Sequence, residues 1–221
     1  MTNSRSKSEV LSKTCKTYLQ ELAIEEMYGI RKDFSSRYTD KGNEVERDSI
    51  DLAQDVLDLG FMYKNTEYFE NKYIKGTPDV NTDSCLIDVK SSYDASTFPW
   101  FTEEIPNKDY YYQLQGYMAL TGKRKAVLAY CLINTPVQIV EDEIRREHWK
   151  QHLIDESEEL RTEVEAKHNF DHIPAEKRIK SFNIKYDKDV VKAIYDRIEE
   201  CRKYYENLLQ HGQRQEKATS E

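Results

Sequence analysis

Residues Leu86-Ile87-Asp88-Val89-Lys90 set two charges of opposite sign into an apolar, β-branched run, shortly after Gly76-Thr77-Pro78-Asp79. In an extended strand, residues two apart project from one face, so Asp88 and Lys90 lie together with Leu86, while Ile87 and Val89 point the other way into a core. A charge in such a run is costly unless it has a partner or a task. Asp79, following a proline at the end of the preceding strand, is within hairpin reach of Asp88. Converging carboxylate oxygens suit a hard divalent cation, and an adjacent lysine offers positive charge beside an attacked phosphodiester.

The acid-x-lysine pattern alone is weak. It recurs at Glu70-Asn71-Lys72 and Glu165-Ala166-Lys167, where a solvated charge pair is the plain reading. Context separates Asp88-Val89-Lys90 from these decoys: the apolar run around it and the Pro-Asp before it.

Composition narrows the class. With 221 residues, 38% hydrophobic and 33% charged, the chain can bury a sizeable core as one domain with a helical appendage. No apolar run approaches the roughly 20 residues of a membrane span, and Met1-Thr2-Asn3-Ser4-Arg5 opens no signal peptide, so a cytoplasmic protein with no membrane partner is expected, in a host cell's cytoplasm if viral. Cys15, Cys85, Cys131 and Cys201 never fall in C-x-x-C spacing; buried free thiols are expected, with no zinc or iron–sulfur site. The net charge of −8 argues against a DNA coat protein. It says little against an enzyme, because nucleic-acid contact depends on local patches and a metal site is itself acidic.

Apolar spacing predicts a helix from Ser8, a candidate cap, to Tyr28, a break at Asp40-Lys41-Gly42-Asn43, and a second helix from about Glu44 to Leu59 ended by Gly60. Tyr68–Ile74 reads as a strand with Cys85–Lys90 as its hairpin-related neighbour. An irregular stretch follows, in which Thr97–Phe101 could form an edge strand. A helix over Tyr110–Leu120 leads to a buried strand, Ala126–Ile133. The charged stretch from Pro136 to about His168 reads as largely helical. A short helix after Pro174, a strand at Ser181–Tyr186 and a final helix over Asp187–Leu209 complete the order. The result is an α/β fold with helices packed on a mixed central sheet. Residues 1–210 are expected to form one domain, with its core at about 40–135, a helical extension at 136–210, and a disordered tail at 211–221.

Two further signals flank the central pair. Gly42-Asn43-Glu44-Val45-Glu46 puts a carboxylate early in the second helix, and Gln113 and Tyr117 are four apart on one helical face. Alone, Glu46 reads as a solvated first-turn acid, and Gln113 and Tyr117 as a surface amide and a core-edge aromatic. In this order, G-x-x-x-E, then PD, then (D/E)-x-K, then Q-x-x-x-Y, the residues resemble the PD-(D/E)XK nuclease superfamily, most of all its phage recombination exonucleases of the lambda-exonuclease or YqaJ type. The likeness covers about residues 40–135.

The resemblance implies a restriction-endonuclease-like αβββαβ core with additional C-terminal helices. It implies a metal-dependent DNA exonuclease acting at duplex ends in phage-type recombination or replication. Asp79, Asp88 and the Val89 carbonyl would hold Mg²⁺ or Mn²⁺, with Glu46 completing the shell directly or through water. Lys90 would orient and deprotonate the attacking water or balance charge on the phosphate. Gln113 and Tyr117 would brace the site or contact the DNA backbone, and Ser91 and Ser92 are candidate phosphate hydrogen-bonders. DNA is the implied partner, with a single-strand annealing protein and a homo-oligomer as further candidates. Glu44 competes with Glu46, and only the G-x-x-x-E register favours the latter. The four-cysteine iron–sulfur spacing of some relatives is absent. The segment from Pro136 to Lys180 has no counterpart in the pattern: it could cap the cleft, form a ring interface, serve a partner, or be a solvated helical hairpin. An endonuclease of the same fold and a non-catalytic DNA-binding module remain open.

Overall fold

All eight residues of Ala126–Ile133 are apolar or aromatic and buried, so this segment has no wet side, and in the computed structural model most of it forms an inner strand of the sheet. The structure describes residues 9–32, 36–152 and 157–219, the side chains of 213–219 excepted. These fall into two compact units, one of residues 35–186 and one of residues 1–34 with 187–221, so residues 136–186 group with the sheet.

The larger unit carries a four-stranded sheet in the order β3 (Val80–Asn81), β4 (Leu86–Ser91), β5 (Lys125–Cys131), β6 (Ile179–Lys185). β3 and β4 are antiparallel, β4 and β5 parallel, β5 and β6 antiparallel, so the sheet is mixed. A parallel pair needs a crossover, and helix α4 (Lys108–Thr121), capped by Asn107 and closed by Gly122 at φ 76°, supplies it.

Both sheet faces are covered. On one, Ile87, Val89, Val127 and Ala129 pack with Ile50 and Ala53 of helix α3 (Glu46–Leu57). On the other, Leu86, Ala126, Leu128 and Phe182 pack with Leu114 and Met118 of α4. Each such aliphatic side chain contributes on the order of 2 kcal/mol by leaving water. Asp88 and Lys90 share the α4 face with Leu86, as the strand period requires.

Three local expectations are corrected. Residues 40–43 are not a break: they lie inside helix α2 (Arg37–Glu44), which a capping box between Ser36 and Thr39 starts. The interruption is one residue, Val45, before α3 begins, and α3 closes at Asp58 with φ 46°. Tyr68–Ile74 is not one strand paired with Cys85–Lys90. β1 (Phe69–Glu70) turns back on β2 (Lys75–Gly76), because the Asn71 side chain accepts from the Tyr73 and Ile74 backbone N–H groups and reverses the chain. Thr97–Phe101 forms no strand; Asp94 accepts from the Thr97 N–H and the Trp100 indole donates to the Ala95 carbonyl, which curls the segment.

The charged stretch folds as α5 (Val137–Lys150) and α6 (Glu158–His168), joined along Val140, Ile144, Leu160 and Val164. The short helix after Pro174 is a single 3₁₀ turn. In the smaller unit, α1 (Lys13–Tyr28) is capped by Ser12, while the expected cap Ser8 lies outside the described residues. α1 packs against α7 (Lys188–Thr219) through Leu19, Leu22, Tyr205 and Leu208. The backbone of α7 is helical well into the stretch read as a tail from residue 211. All four cysteines are buried free thiols. Among the described residues, no helix is long and apolar enough to cross a membrane.

Candidate active site

The β3–β4 register pairs Val80 with Ile87, which sets Asp79, one residue earlier, opposite Asp88. Asp79 Oδ2 accepts from the Val89 N–H at 2.9 Å, and this bond pins the Pro78-Asp79 turn to the strand that carries Asp88 and Lys90. The turn is held from outside as well: the Asn65 N–H donates to the Asp79 carbonyl at 2.8 Å and Asn65 Nδ2 to the Pro78 carbonyl at 3.0 Å.

Asp88 is completely buried. Lys90 Nζ stands 2.5 Å from its Oδ2 as an ion pair, and apart from that lysine neither Asp88 oxygen has a donor. Burial raises the Asp88 pKa against the pull of Lys90. Burial, then the facing charge of Asp88, pushes Asp79 up to about 7. Burial also works to strip the Lys90 proton, but Asp88 and Asp79 outweigh it and its pKa is raised, so the ammonium is kept. Its charge lies 4.9 Å from the centre of the Tyr110 ring.

Asp79 and Lys90 open into a cleft of about 460 Å³, lined also by Glu46, Val89, Ser91 and Ser92 and walled by Tyr38, Tyr93, Tyr110 and Tyr130, while Asp88 lies buried behind them and does not line it. Glu46, at the start of α3, pairs with Lys64; Glu44 is exposed and does not line the cleft. Ser91 Oγ lies 2.7 Å from Ser49 Oγ, and Ser92 Oγ donates to the Thr97 carbonyl at 3.5 Å.

Gln113 and Tyr117 do not line it. Gln113 Nε2 donates to the Tyr117 hydroxyl at 3.0 Å, and the Tyr117 ring packs on Gly76, two residues before Pro78. A Cβ at Gly76 would meet Tyr117 Cε1 at 2.6 Å, so Gly76→Ala is expected to shift ring or turn and lower stability by about 1–3 kcal/mol in a denaturant melt. Unchanged stability would mean that this packing is slack.

The decoy triplet Glu165-Ala166-Lys167 lies on α6. Glu165 pairs with Arg161 and Lys167 with Glu163 on α6, where residues two apart face different ways.

Among the described residues, no three His, Cys, Asp or Glu side chains come close enough together to hold a metal ion; Glu46 does not join the two aspartates into such a group. The chemistry of Asp79, Asp88 and the Val89 peptide still fits a hard cation. All the donors are oxygens, and two buried carboxylate oxygens have no hydrogen bond. Nitrogen and sulfur ligands, which a structural zinc would want, are absent from the cleft lining.

Sequence reading missed the tyrosine walls, Lys64 and Asn65, and Lys41, wholly buried on α2 with Nζ donating to the Tyr93 carbonyl at 2.8 Å. Tyr110, three residues before Gln113 on the same helix, had a signal in that spacing. The others depend on contacts distant in sequence.

The fold is similar to that of a phage-related exonuclease from Haemophilus somnus (TM-score 0.77, 27% identity, covering 95% of this chain and 91% of that one). It is also similar to an alkaline exonuclease from Laribacter hongkongensis (TM-score 0.64, 15% identity, 99% and 89%) and to the same enzyme in complex with dAMP (TM-score 0.63, 15% identity, 92% and 86%). No protein-family model and no curated protein matches the chain. The restriction-endonuclease-like architecture read from the motifs is the one the structure has, and these neighbours share it.

Proposed function

We propose that this chain is a divalent-metal-dependent deoxyribonuclease that degrades duplex DNA from its ends. The observation that carries the reading is the meeting of Asp79, Asp88 and Lys90 beside a cleft, in a fold similar to that of a phage-related exonuclease. Asp79, Asp88 and the Val89 carbonyl would hold Mg²⁺ or Mn²⁺, with Glu46 reaching it through water. The ion, when bound, withdraws charge from the scissile phosphate and acidifies water.

The chain's own residues do the rest. Lys90, kept as an ammonium by its two acidic neighbours, offers donors to the attacking water and positive charge to the crowded phosphate. Ser92 and Ser91 border the same cleft and suit hydrogen bonds to phosphate oxygens. The Gln113–Tyr117 pair braces the turn that presents Asp79. Resection of one strand leaves a single-stranded tail, the product an annealing protein consumes, which suits phage-type recombination or replication.

The test is incubation with linear and with covalently closed duplex DNA, in magnesium and in chelator. The expected result is loss of linear DNA alone, and only with the metal. Nicking of the circle would transfer the fold to an endonuclease. Retention of DNA without cutting would reduce it to a binding module.

A further inference from the structure

The segment 137–168, which no motif explains, sends one carboxylate to the cleft wall. Glu143 on α5 has a side chain only 16% exposed, and donors surround it. Its Oε2 accepts from the Tyr93 hydroxyl at 2.5 Å and from Arg37 Nη1 at 3.3 Å, and lies 3.6 Å from Arg146 Nη2. Its Oε1 lies 3.6 Å from Nε2 of buried His168, whose Nδ1 is 2.9 Å from Thr135 Oγ1. Burial opposes ionisation of Glu143, but Tyr93, His168 and Arg37 outweigh it and hold the carboxyl below its ordinary range.

Tyr93 is thereby fixed at both ends. Lys41 holds its carbonyl and Glu143 its hydroxyl, so its ring is set as a wall of the cleft beside Lys90, Ser91 and Ser92. Arg37 lies 4.9 Å from that ring's centre and 5.1 Å from that of Tyr38, which presents a second cleft wall. The Arg37 side chain is 39% exposed and borders a second groove together with Arg146. A part-buried carboxylate facing two arginines, a phenol and an imidazole is costly to assemble for packing alone. A solvated helical hairpin would need none of it.

We infer that Glu143 is a positioning residue for DNA capture: it sets Tyr93 and Arg37 along the path of the DNA backbone, and its loss weakens substrate binding while leaving bond cleavage intact. The inference rests on the nuclease reading for its substrate. It acts through geometry, since Glu143 touches neither Asp79, Asp88 nor Lys90.

Two measurements separate this inference from the reading beneath it. Binding of a fluorescent duplex in chelator gives Kd without any cutting, and steady-state kinetics in magnesium give KM and kcat. Glu143→Gln, which keeps the volume, is expected to raise Kd and KM about 10-fold with kcat within about 2-fold. Tyr93→Phe removes a single hydroxyl and is expected to raise Kd in the same direction. The double variant should be no worse than the poorer single one, because Glu143→Gln weakens, by removing its charge, the same bond that Tyr93→Phe removes. Unchanged Kd in Glu143→Gln, a fall confined to kcat, or additive losses would each overturn the inference. A wild-type protein that binds duplex and never cuts would sink the nuclease reading alone, with the Kd comparison still deciding this one.

Discussion

Asp88→Asn is expected to abolish cutting, by at least about 10³-fold, and at the same time to make the protein more stable. The first effect follows from its place: Asp88 faces Asp79 and touches Lys90, so its loss halves the pair of aspartates that would hold the ion. The second follows from cost. Two buried carboxylates share one lysine, and neither Asp88 oxygen has a hydrogen bond. At a pH above the raised Asp79 value of about 7, where both carboxyls are ionised, removing one negative charge leaves Asp79 and Lys90 as a balanced pair, worth about 1 kcal/mol, or roughly 2–4 °C in melting temperature at this chain length. A thermal melt in chelator reads that gain, and the same melt with manganese should raise the wild type and leave Asp88→Asn unmoved. Glu165→Ala, in a solvated pair on α6, should alter neither activity nor the response to metal. If Asp88→Asn cut at the wild-type rate, or if Glu165→Ala lost as much, the assignment of the site to β4 would be wrong.

The opposed trends matter because they distinguish a site from a structural ion pair. Breaking a structural pair by removing one partner destabilises. A site assembled for a ligand carries charge that the empty protein must tolerate, and it is relieved when that charge goes.

What could be read from sequence was what strand periodicity controls. Ile87 and Val89 alternate with Leu86, Asp88 and Lys90, and that period set both the sheet faces and the direction of the charges. Pro78-Asp79 marked the second carboxylate because a proline there ends one segment and a hairpin register does the rest. The G-x-x-x-E spacing also separated Glu46, in the cleft, from exposed Glu44. What could not be read depends on contacts between distant residues. Residues 40–43 looked like a break because Gly and Asn there are turn formers, yet the Ser36 cap and the buried Lys41 hold them helical. Tyr68–Ile74 looked like one strand because its aromatics have the right propensity, and only the Asn71 side chain turns it back. Glu143 sits in a stretch so rich in charge that no pattern marks one acid out from its neighbours; its 50-residue reach to Tyr93 is a fact of packing.

Lys41→Met should remove a pH dependence of stability that the wild type shows between about pH 8 and 10.5. Lys41 is fully buried, its Nζ donates to the Tyr93 carbonyl, and the Phe170 ring lies 5.4 Å away. Burial pushes its pKa down from 10.5 to about 8, with Asp94 pulling weakly the other way. The sign runs opposite to that of a lysine that gains an acidic partner on folding. Between the folded value and the unfolded one, the unfolded chain binds more protons, so stability rises with pH across that window and is lost as pH falls through about 8. At one pKa unit per 1.36 kcal/mol, the wild type should gain about 2–3 kcal/mol relative to Lys41→Met between pH 7 and pH 10. Near pH 7 the variant should lie close to wild type. It sheds the cost of a buried ammonium but leaves the Tyr93 carbonyl without its donor, and these opposed terms are of similar size, about 1–3 kcal/mol each. Urea melts of both proteins at several pH values give the difference, in which the tyrosines common to both largely cancel. Parallel stability profiles would show that Lys41 is charged in the folded protein throughout. The burial of α2 against Tyr93 would then have to be held by something other than a lysine poised to lose its proton.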